Sequence, residues 1–259
     1  MKVRNSSPSR LTDFKLLSFD CFGTLVDWES GIYSELQLLL DRLPTTHPLR
    51  HDRALAIERF NDLEIQLCAS EPGLLYSSLL AGAYIKLAEE LGLPAPAQTE
   101  SDAVGASIGK WPAFSDTVEA LNRLKKHYKL VILSNVDQKS FQEVLEGPLR
   151  EVKFDAVYTA EEIGSYKPDL KNFHYLLDHV REGLGVEKEH VLHTAHGLKS
   201  DHVPAKEMGM NSAWIARGDG MGEAPKLEAV KDDVAFTWRF EDMKRMADNA
   251  DEEFDRSGR

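Results

Sequence analysis

The first pattern along the chain is an apolar run, Phe14-Lys15-Leu16-Leu17-Ser18-Phe19, that stops on Asp20 and meets a glycine at Gly23. Short apolar runs of this kind read as buried parallel strands, and in open α/β sheets ligands gather beyond the strands' carboxyl ends. Asp20 therefore has two readings. It is a working carboxylate at a strand end, or a turn carboxylate bonding its own backbone.

After Asp27 the apolar positions recur at helical spacing. Ile32, Leu36, Leu39, Leu40 and Leu43 make one stripe, ended by Pro44 and Pro48. Phe60, Leu63 and Leu67 mark a second helix, and Leu80, Ala83, Tyr84, Leu87 and Leu91 a third, closed by Gly92 and Pro94. Residues 28–110 thus read as a helical module with a loose stretch from Pro94 to Gly109.

From Trp111 onward helices and strands alternate, the pattern of a parallel sheet with crossover helices. Asp116 is placed to cap a helix bearing Val118, Leu121 and Leu124. Leu130 to Leu133 is a buried strand ending on Ser134-Asn135, and Phe141, Val144 and Leu145 mark the next helix. Phe154 to Tyr158 precedes a loop with Tyr166-Lys167-Pro168, and a helix through Phe173, Leu176, Leu177 and Val180 leads to the strand Val191 to Thr194. That strand opens onto Ala195-His196-Gly197, with Asp201 one turn later at a helix start. Ser212 to Ala216 is a fifth strand and Val234 to Trp238 a candidate sixth; Asp242 to Arg259, charged throughout, reads as a fraying end. The expected fold is α/β, a doubly wound parallel sheet of residues 11–27 and 111–250 interrupted by a helical cap at 28–110, with flexible ends at 1–10 and 251–259.

Composition narrows the partners. Lys plus Arg number 31 against 43 Asp plus Glu, a formal charge of −12, which disfavours nucleic acid and acidic membrane surfaces. Cys21 and Cys68 stand far apart in no metal-ligand pattern, so free thiols in a reducing compartment are expected. No apolar stretch reaches the roughly 20 residues of a membrane span, and Met1 to Arg10 lacks an apolar signal core, so a cytoplasmic location is expected. A monomer and a homodimer both stand open.

Each predicted strand ends on polar residues: Asp20, then Ser134 and Asn135, Lys167 in the loop after the third, and His196 with Asp201 after the fourth. In a right-handed doubly wound sheet these ends lie side by side and their side chains face one crevice. Each residue also has an ordinary use, as turn, solvated lysine or helix cap. The coincidence lies in four of them at matched strand ends.

With those residues in view, the chain resembles the haloacid dehalogenase superfamily over nearly its whole length. The pieces that carry the resemblance are Phe19-Asp20-Cys21-Phe22-Gly23-Thr24-Leu25, Leu133-Ser134-Asn135, Tyr166-Lys167-Pro168-Asp169 and the stretch from His193 to Gly209. It implies an aspartate nucleophile at Asp20, a supporting Ser134 with Asn135, a Lys167 that holds the nucleophile's charge, and an α-helical cap after the first strand.

Leaving-group chemistry separates the branches. Phosphatases of the superfamily carry a second aspartate two places after the nucleophile, because an alkoxide leaving group needs a proton. This chain has Phe22 there, and His196 stands where the fourth motif has an acid for a hard cation. Both departures point to the L-2-haloacid dehalogenase branch, which implies halide displacement by Asp20 through a covalent ester, without a metal or other cofactor, on a small organic acid. Asp201 is then expected to hold Lys167 or orient water, and Arg59, in Glu58-Arg59-Phe60-Asn61-Asp62-Leu63-Glu64, to bind the substrate carboxylate and leaving halide. A solvated Arg59 paired with Asp62 is the competing reading.

Cys21, Phe22, Thr24, Trp28, Phe173, His196 and Leu198 are the expected substrate-lining residues. Phe173 replaces a tyrosine of that branch and Leu198 an asparagine, which suggests a larger or more apolar substrate. His196 is either the base of ester hydrolysis or a loop histidine satisfied by backbone. The spacing of His193 and His202 matches no common zinc pattern. Two alternatives remain: a magnesium-dependent phosphatase binding the ion through Asp20, a backbone carbonyl and Asp201, and a catalytically degenerate member of the same fold.

Overall fold

The structure is a computed structural model describing residues 10–217 and 227–258. Strands β1 (Leu16–Phe19), β2 (Lys129–Ser134), β3 (Ala156–Thr159), β4 (Val191–Ala195), β5 (Asn211–Ile215) and β6 (Trp238–Phe240) form one sheet in the spatial order β3-β2-β1-β4-β5-β6. Every neighbouring pair is parallel. The chain winds to one side of β1 through β2 and β3, then to the other through β4, β5 and β6, so the order reverses beside β1. Crevices of α/β sheets form at such a reversal. Phe19 pairs with Ile132 and with Thr194, and Asp20 continues the ladder by donating its N–H to the Thr194 carbonyl at 3.1 Å.

Alternate strand residues feed two cores, as the two-residue period of a strand demands. Leu17, Phe19, Leu130 and Ile132 face one apolar cluster, while Leu16, Val131, Leu133 and Val191 face another with Phe173, Leu176 and Val180. The first cluster runs on without a break into the helices between β1 and β2, through Trp28, Ile32, Phe60 and Tyr84. Those helices are α1 (Trp28–Leu40), α2 (Arg53–Ser70), α3 (Tyr76–Glu90) and α4 (Gln98–Gly105). Asp27 and Asp52 cap α1 and α2, accepting from Ser30 N and Leu55 N.

Around the sheet follow α5 (Thr117–Leu124), α6 (Gln138–Glu146), α7 (Ala160–Ile163), α8 (Leu170–Leu184), α9 (Val203–Glu207), α10 (Leu227–Val230) and α11 (Met243–Ser257). No helix among the described residues is long and apolar enough to cross a membrane. Cys21 and Cys68 are free thiols.

The element order agrees with the pattern in the sequence, with four differences. The stretch from Pro94 to Gly109 contains α4, whose contact face is built of small residues: a Cβ on Gly105 would lie 2.4 Å from the Ser77 carbonyl. Periodicity of large apolar side chains misses such a helix. β6 lies at Trp238–Phe240, later than Val234 to Trp238, because Val234 and Phe236 pack sideways on Leu198 and Trp214.

Residues 251–257, expected to fray, complete α11. Met243, Met246, Ala247, Ala250 and Phe254 are buried along one face, Phe254 stacks on His127 at 4.1 Å, and Arg123 bonds Asp248 and Asp251. The high charge of this segment hides a regular apolar face. Residues 1–9 and Arg259 of the expected flexible ends lie outside the described residues.

Asp116 stands before α5 but makes no capping bond there. Its carboxylate accepts instead from the Met243 N–H at 2.7 Å and from Arg217 at 2.6 Å, tying the start of α11 to the sheet.

Candidate active site

The loop after β1 is folded on itself. The Cys21 carbonyl accepts from the N–H groups of Leu25 and Val26, and Gly23 takes φ +85°, a conformation that L side chains rarely adopt. The Thr24 hydroxyl donates to Asp20 Oδ2 at 2.6 Å and accepts from the His196 N–H at 2.8 Å. Thr24 thereby pins the carboxylate to the end of β4. Arg217, just beyond β5, holds the same loop through two bonds to the Thr24 carbonyl, 2.9 and 2.6 Å.

Lys167 closes the arrangement. Its Nζ donates to Asp20 Oδ1 at 2.9 Å, Asp201 Oδ1 at 2.6 Å and the Leu133 carbonyl at 3.0 Å, which engages all three ammonium protons. Asn135 clamps its backbone from both sides, accepting from Lys167 N at 2.7 Å and donating to Lys167 O at 3.0 Å. Asp201 lies in a π-helical turn, Leu198–His202, where Oδ1 also accepts from His193 Nε2 at 3.0 Å and Oδ2 accepts from Ser200 at 2.6 Å.

The charges shift accordingly. Burial pushes the Asp20 carboxyl up from the ordinary range; Lys167 pulls against it, Asp201 adds to the rise and the Thr24 bond lowers it. Burial would raise Asp201 too, but Lys167 and His193 overcome it and hold that carboxyl well below its usual value. Lys167 is buried, yet its two acid partners raise it above a free lysine, so it stays charged.

His196 Nδ1 bonds the Ile215 carbonyl at 2.8 Å. A carbonyl only accepts, so Nδ1 carries the proton and Nε2 of the neutral ring is a bare acceptor. Burial lowers the imidazole's pKa, partly offset by the Ile215 bond, which favours that neutral form. His196 Nε2, Trp28 Nε1 and Ser134 Oγ are buried without a hydrogen-bond partner among the described residues. A methyl on Gly23 would sit 3.5 Å from Trp28 Nε1 and 3.6 Å from His196 Cδ2, so these two rings flank the loop after β1.

A cleft of about 130 Å³ opens over this group, lined by Asp20, Phe22, Trp28, Glu64, Tyr76, Ser134, Asn135, Lys167, Gly197 and Ser200. Phe22 stacks on Tyr76 at 6.0 Å and meets Trp111 edge-on at 5.4 Å. The expected Asp20, Ser134, Asn135, Lys167, Phe22 and Trp28 are brought together, with Asp201 behind Lys167 and Thr24 behind Asp20.

His196 is buried beside the loop after β1 and does not line the cleft, and four further expected residues lie elsewhere. Arg59 is on another face of α2, paired with Glu90 and with Asp62 at 3.6 Å. Cys21 faces the core, where burial and then the neighbouring Asp20 push its thiol well up. Phe173 is buried on α8, edge-on to His193 at 5.3 Å, and supports the histidine instead of lining the cleft. Leu198 packs with Trp214, Ala216 and Val230. For the last three the side chain turns into the core, which position in a motif does not reveal. Glu64, Tyr76, Ser200 and Arg217 were not anticipated. Only Glu64 left a signal, being an acid one turn after Phe60 on the apolar stripe of α2.

The donor set is a poor one for a magnesium ion: each oxygen of Asp20 and of Asp201 already accepts from a protein donor, and the third acid of such a site is replaced by His196, whose Nδ1 is bonded to backbone. His193 and His202 are also fully partnered, His193 by Ser18 and Asp201, His202 by Ser212 and the Ala195 carbonyl.

Comparisons with known proteins agree on the family. The chain is 26% identical over 223 residues to the (S)-2-haloacid dehalogenase of Pseudomonas sp. (strain YL), covering 83% of this chain and 90% of that protein. It is 34% identical over 110 residues to the haloacid dehalogenase-like hydrolase domain-containing protein 3 of Bos taurus, a stretch that spans 40% of that protein and 42% of this chain. The crystal structure of the L-2-haloacid dehalogenase from Xanthobacter autotrophicus shares the fold, with a TM-score of 0.72 at 19% identity, covering 91% of this chain and 97% of that one. The family model for haloacid dehalogenase-like hydrolases matches residues 14–209, most of the chain, and the protein belongs to that family.

Proposed function

We propose that this protein is a hydrolase that displaces halide from a small 2-haloacid-type substrate, with Asp20 as nucleophile and no metal in the reaction. The observation that carries the reading is the Asp20 carboxylate, held against Lys167 at 2.9 Å on the cleft floor, with Phe22 where a leaving-group acid would stand. An Asp20 oxygen attacks the carbon bearing the halogen. The carbon–halogen bond breaks, and halide leaves with the bonding electrons, unprotonated because it is a weak base.

The resulting ester joins Asp20 to the substrate carbon with inverted configuration. Water then attacks the ester carbonyl carbon, and His196 Nε2, the bare acceptor of its fixed tautomer, takes the proton. The tetrahedral intermediate collapses with cleavage of the bond between the acyl carbon and the substrate oxygen, His196 returns its proton to that alkoxide oxygen, and the hydroxy acid departs. Asp20 loses the second proton of the water to solvent and is again a carboxylate. The helices α1 to α4 act as a cap over this chemistry, contributing Trp28, Glu64 and Tyr76 to the cleft. Its volume, about 130 Å³, suits a substrate of a few carbons.

Halide release from a panel of 2-haloacids, run with and without chelator beside Asp20→Asn, tests the reading. Release that resists chelator and vanishes in the variant is expected. Magnesium-dependent phosphate release from phosphate esters, stopped by chelator, overturns it. For His196, the expectation is that His196→Ala accumulates the ester on Asp20; a variant that releases halide without accumulating ester removes the histidine from the second step.

A further inference from the structure

A substrate that carries a carboxylate needs something in the cleft to meet its charge. Lys167 has no proton left to offer, and no arginine lines the cleft among the described residues. The unengaged donors are neutral, Trp28 Nε1–H and Ser134 Oγ–H. Facing them is a further acid, Glu64 of α2, whose carboxyl end is enclosed and accepts from the Tyr76 hydroxyl.

We infer that Glu64 is the specificity-determining residue of the cleft: protonated, it donates a hydrogen bond to a substrate carboxylate and admits it, and ionised, it repels it. The inference rests on the proposed haloacid chemistry only for the identity of the substrate. An acid–carboxylate hydrogen bond is charge-assisted and short, whereas two ionised carboxylates in one small enclosure cannot coexist at low cost. Neutral substrates of the same shape escape this discrimination.

The groups around Glu64 support a titration in the working range. Burial pushes its carboxyl up to about 7, with the Tyr76 bond pulling slightly against it. Cys68, one turn along α2, and Tyr166, in the loop before α8, are themselves pushed up by burial first, with Glu64 contributing, so both stay neutral near pH 7. Across the cleft stand Asp20 and Lys167, already paired. Among the described residues, Asp20 and His196, whose Nε2 is unpartnered and whose imidazole burial holds down, are the other groups whose protonation changes the charge an incoming anion meets.

The test uses propionate and propionamide, which carry no leaving group, so it holds whether or not halide is ever released. Their binding to the wild-type protein is measured by NMR titration at pH 6 and pH 8. Propionate affinity should fall about tenfold from pH 6 to pH 8, as a group titrating near 7 requires, while propionamide affinity stays constant. In Glu64→Gln, an isosteric change that keeps a hydrogen-bond donor, the pH dependence for propionate should disappear. Propionate affinity equal at the two pH values, a pH dependence that persists in Glu64→Gln and so belongs to Asp20 or His196, or no binding of either compound overturns the inference.

Discussion

The two walls of the cleft are built on different principles. On the sheet side, the charged and amide groups that meet are engaged: Lys167 gives its three bonds, Asp201 accepts three, from Lys167, His193 and Ser200, and Asn135 commits both ends of its amide to one backbone. On the helical side, Trp28 Nε1 has no partner among the described residues and Glu64 has a carboxyl that titrates near 7. Charged and amide groups fixed before substrate arrives suit the chemical step, which gains from preorganised charge; beside them Ser134 Oγ and His196 Nε2 stay unengaged among the described residues. A wall with an unengaged donor and a titratable acid suits selection among substrates.

The largest effect should come from breaking the fixed wall at its centre. Lys167→Met leaves Asp20 and Asp201 buried without their cation, and removing one partner from a buried ionic group costs about 3–5 kcal/mol. Halide release should fall by about 10³-fold, the scale of losing a preorganised electrostatic partner. Urea unfolding and a halide assay read both quantities. A variant of unchanged stability contradicts the description of this wall as an interlocked charge network.

Acid should act on the two regions with opposite signs. His202, which joins the π-helical turn to β4 and β5, is pushed down to about 4 by burial. As pH falls below 6.5 the unfolded chain takes a proton that the folded histidine refuses, so stability is lost between 6.5 and 4. Glu64 is pushed up to about 7, so the folded state takes its proton first and gains stability as pH falls through that value. Each contributes about 2 kcal/mol between pH 7 and pH 5, and the wild-type protein should be nearly flat across that range. Glu64→Gln removes the gain and should lose about 2 kcal/mol on the same acidification. Equal pH profiles for the two proteins in urea unfolding contradict this balance.

The smallest effect is expected at Arg59, which lies outside both walls. Its pairs with Glu90 and Asp62 are exposed, so Arg59→Ala should change stability by at most about 1 kcal/mol. The KM for a 2-haloacid should not move. A tenfold rise in KM would put this guanidinium back among the groups that meet substrate.

The two walls also differ in how far they can be read from sequence. The fixed wall is legible because strand ends converge in a parallel sheet: Asp20, Ser134, Asn135 and Lys167 each follow an apolar run, and the topology brings them to one edge. Direction is what the sequence leaves out. Phe173 and Leu198 have site-like positions but core-facing side chains, and Arg59 and Glu64, five residues apart on one helix, point to different places. Helical phase relative to the apolar stripe of Ala56, Ile57, Phe60, Leu63 and Leu67 favours Glu64 over Arg59 as the cleft residue, whereas residue type favours the arginine. Phase was the better guide. The same lesson holds for α11, where the spacing of Met243, Met246, Ala250 and Phe254 outweighs the charge around them.

The most direct test of the covalent role proposed for Asp20 follows the oxygen atoms. In ¹⁸O-labelled water under single turnover, with the protein in excess over a 2-haloacid, the oxygen added to the product comes from the Asp20 carboxylate and is unlabelled. The label enters the peptide containing Asp20, where mass spectrometry finds it. Labelled product with an unlabelled Asp20 peptide would mean that water attacks the substrate carbon itself, and would contradict the account.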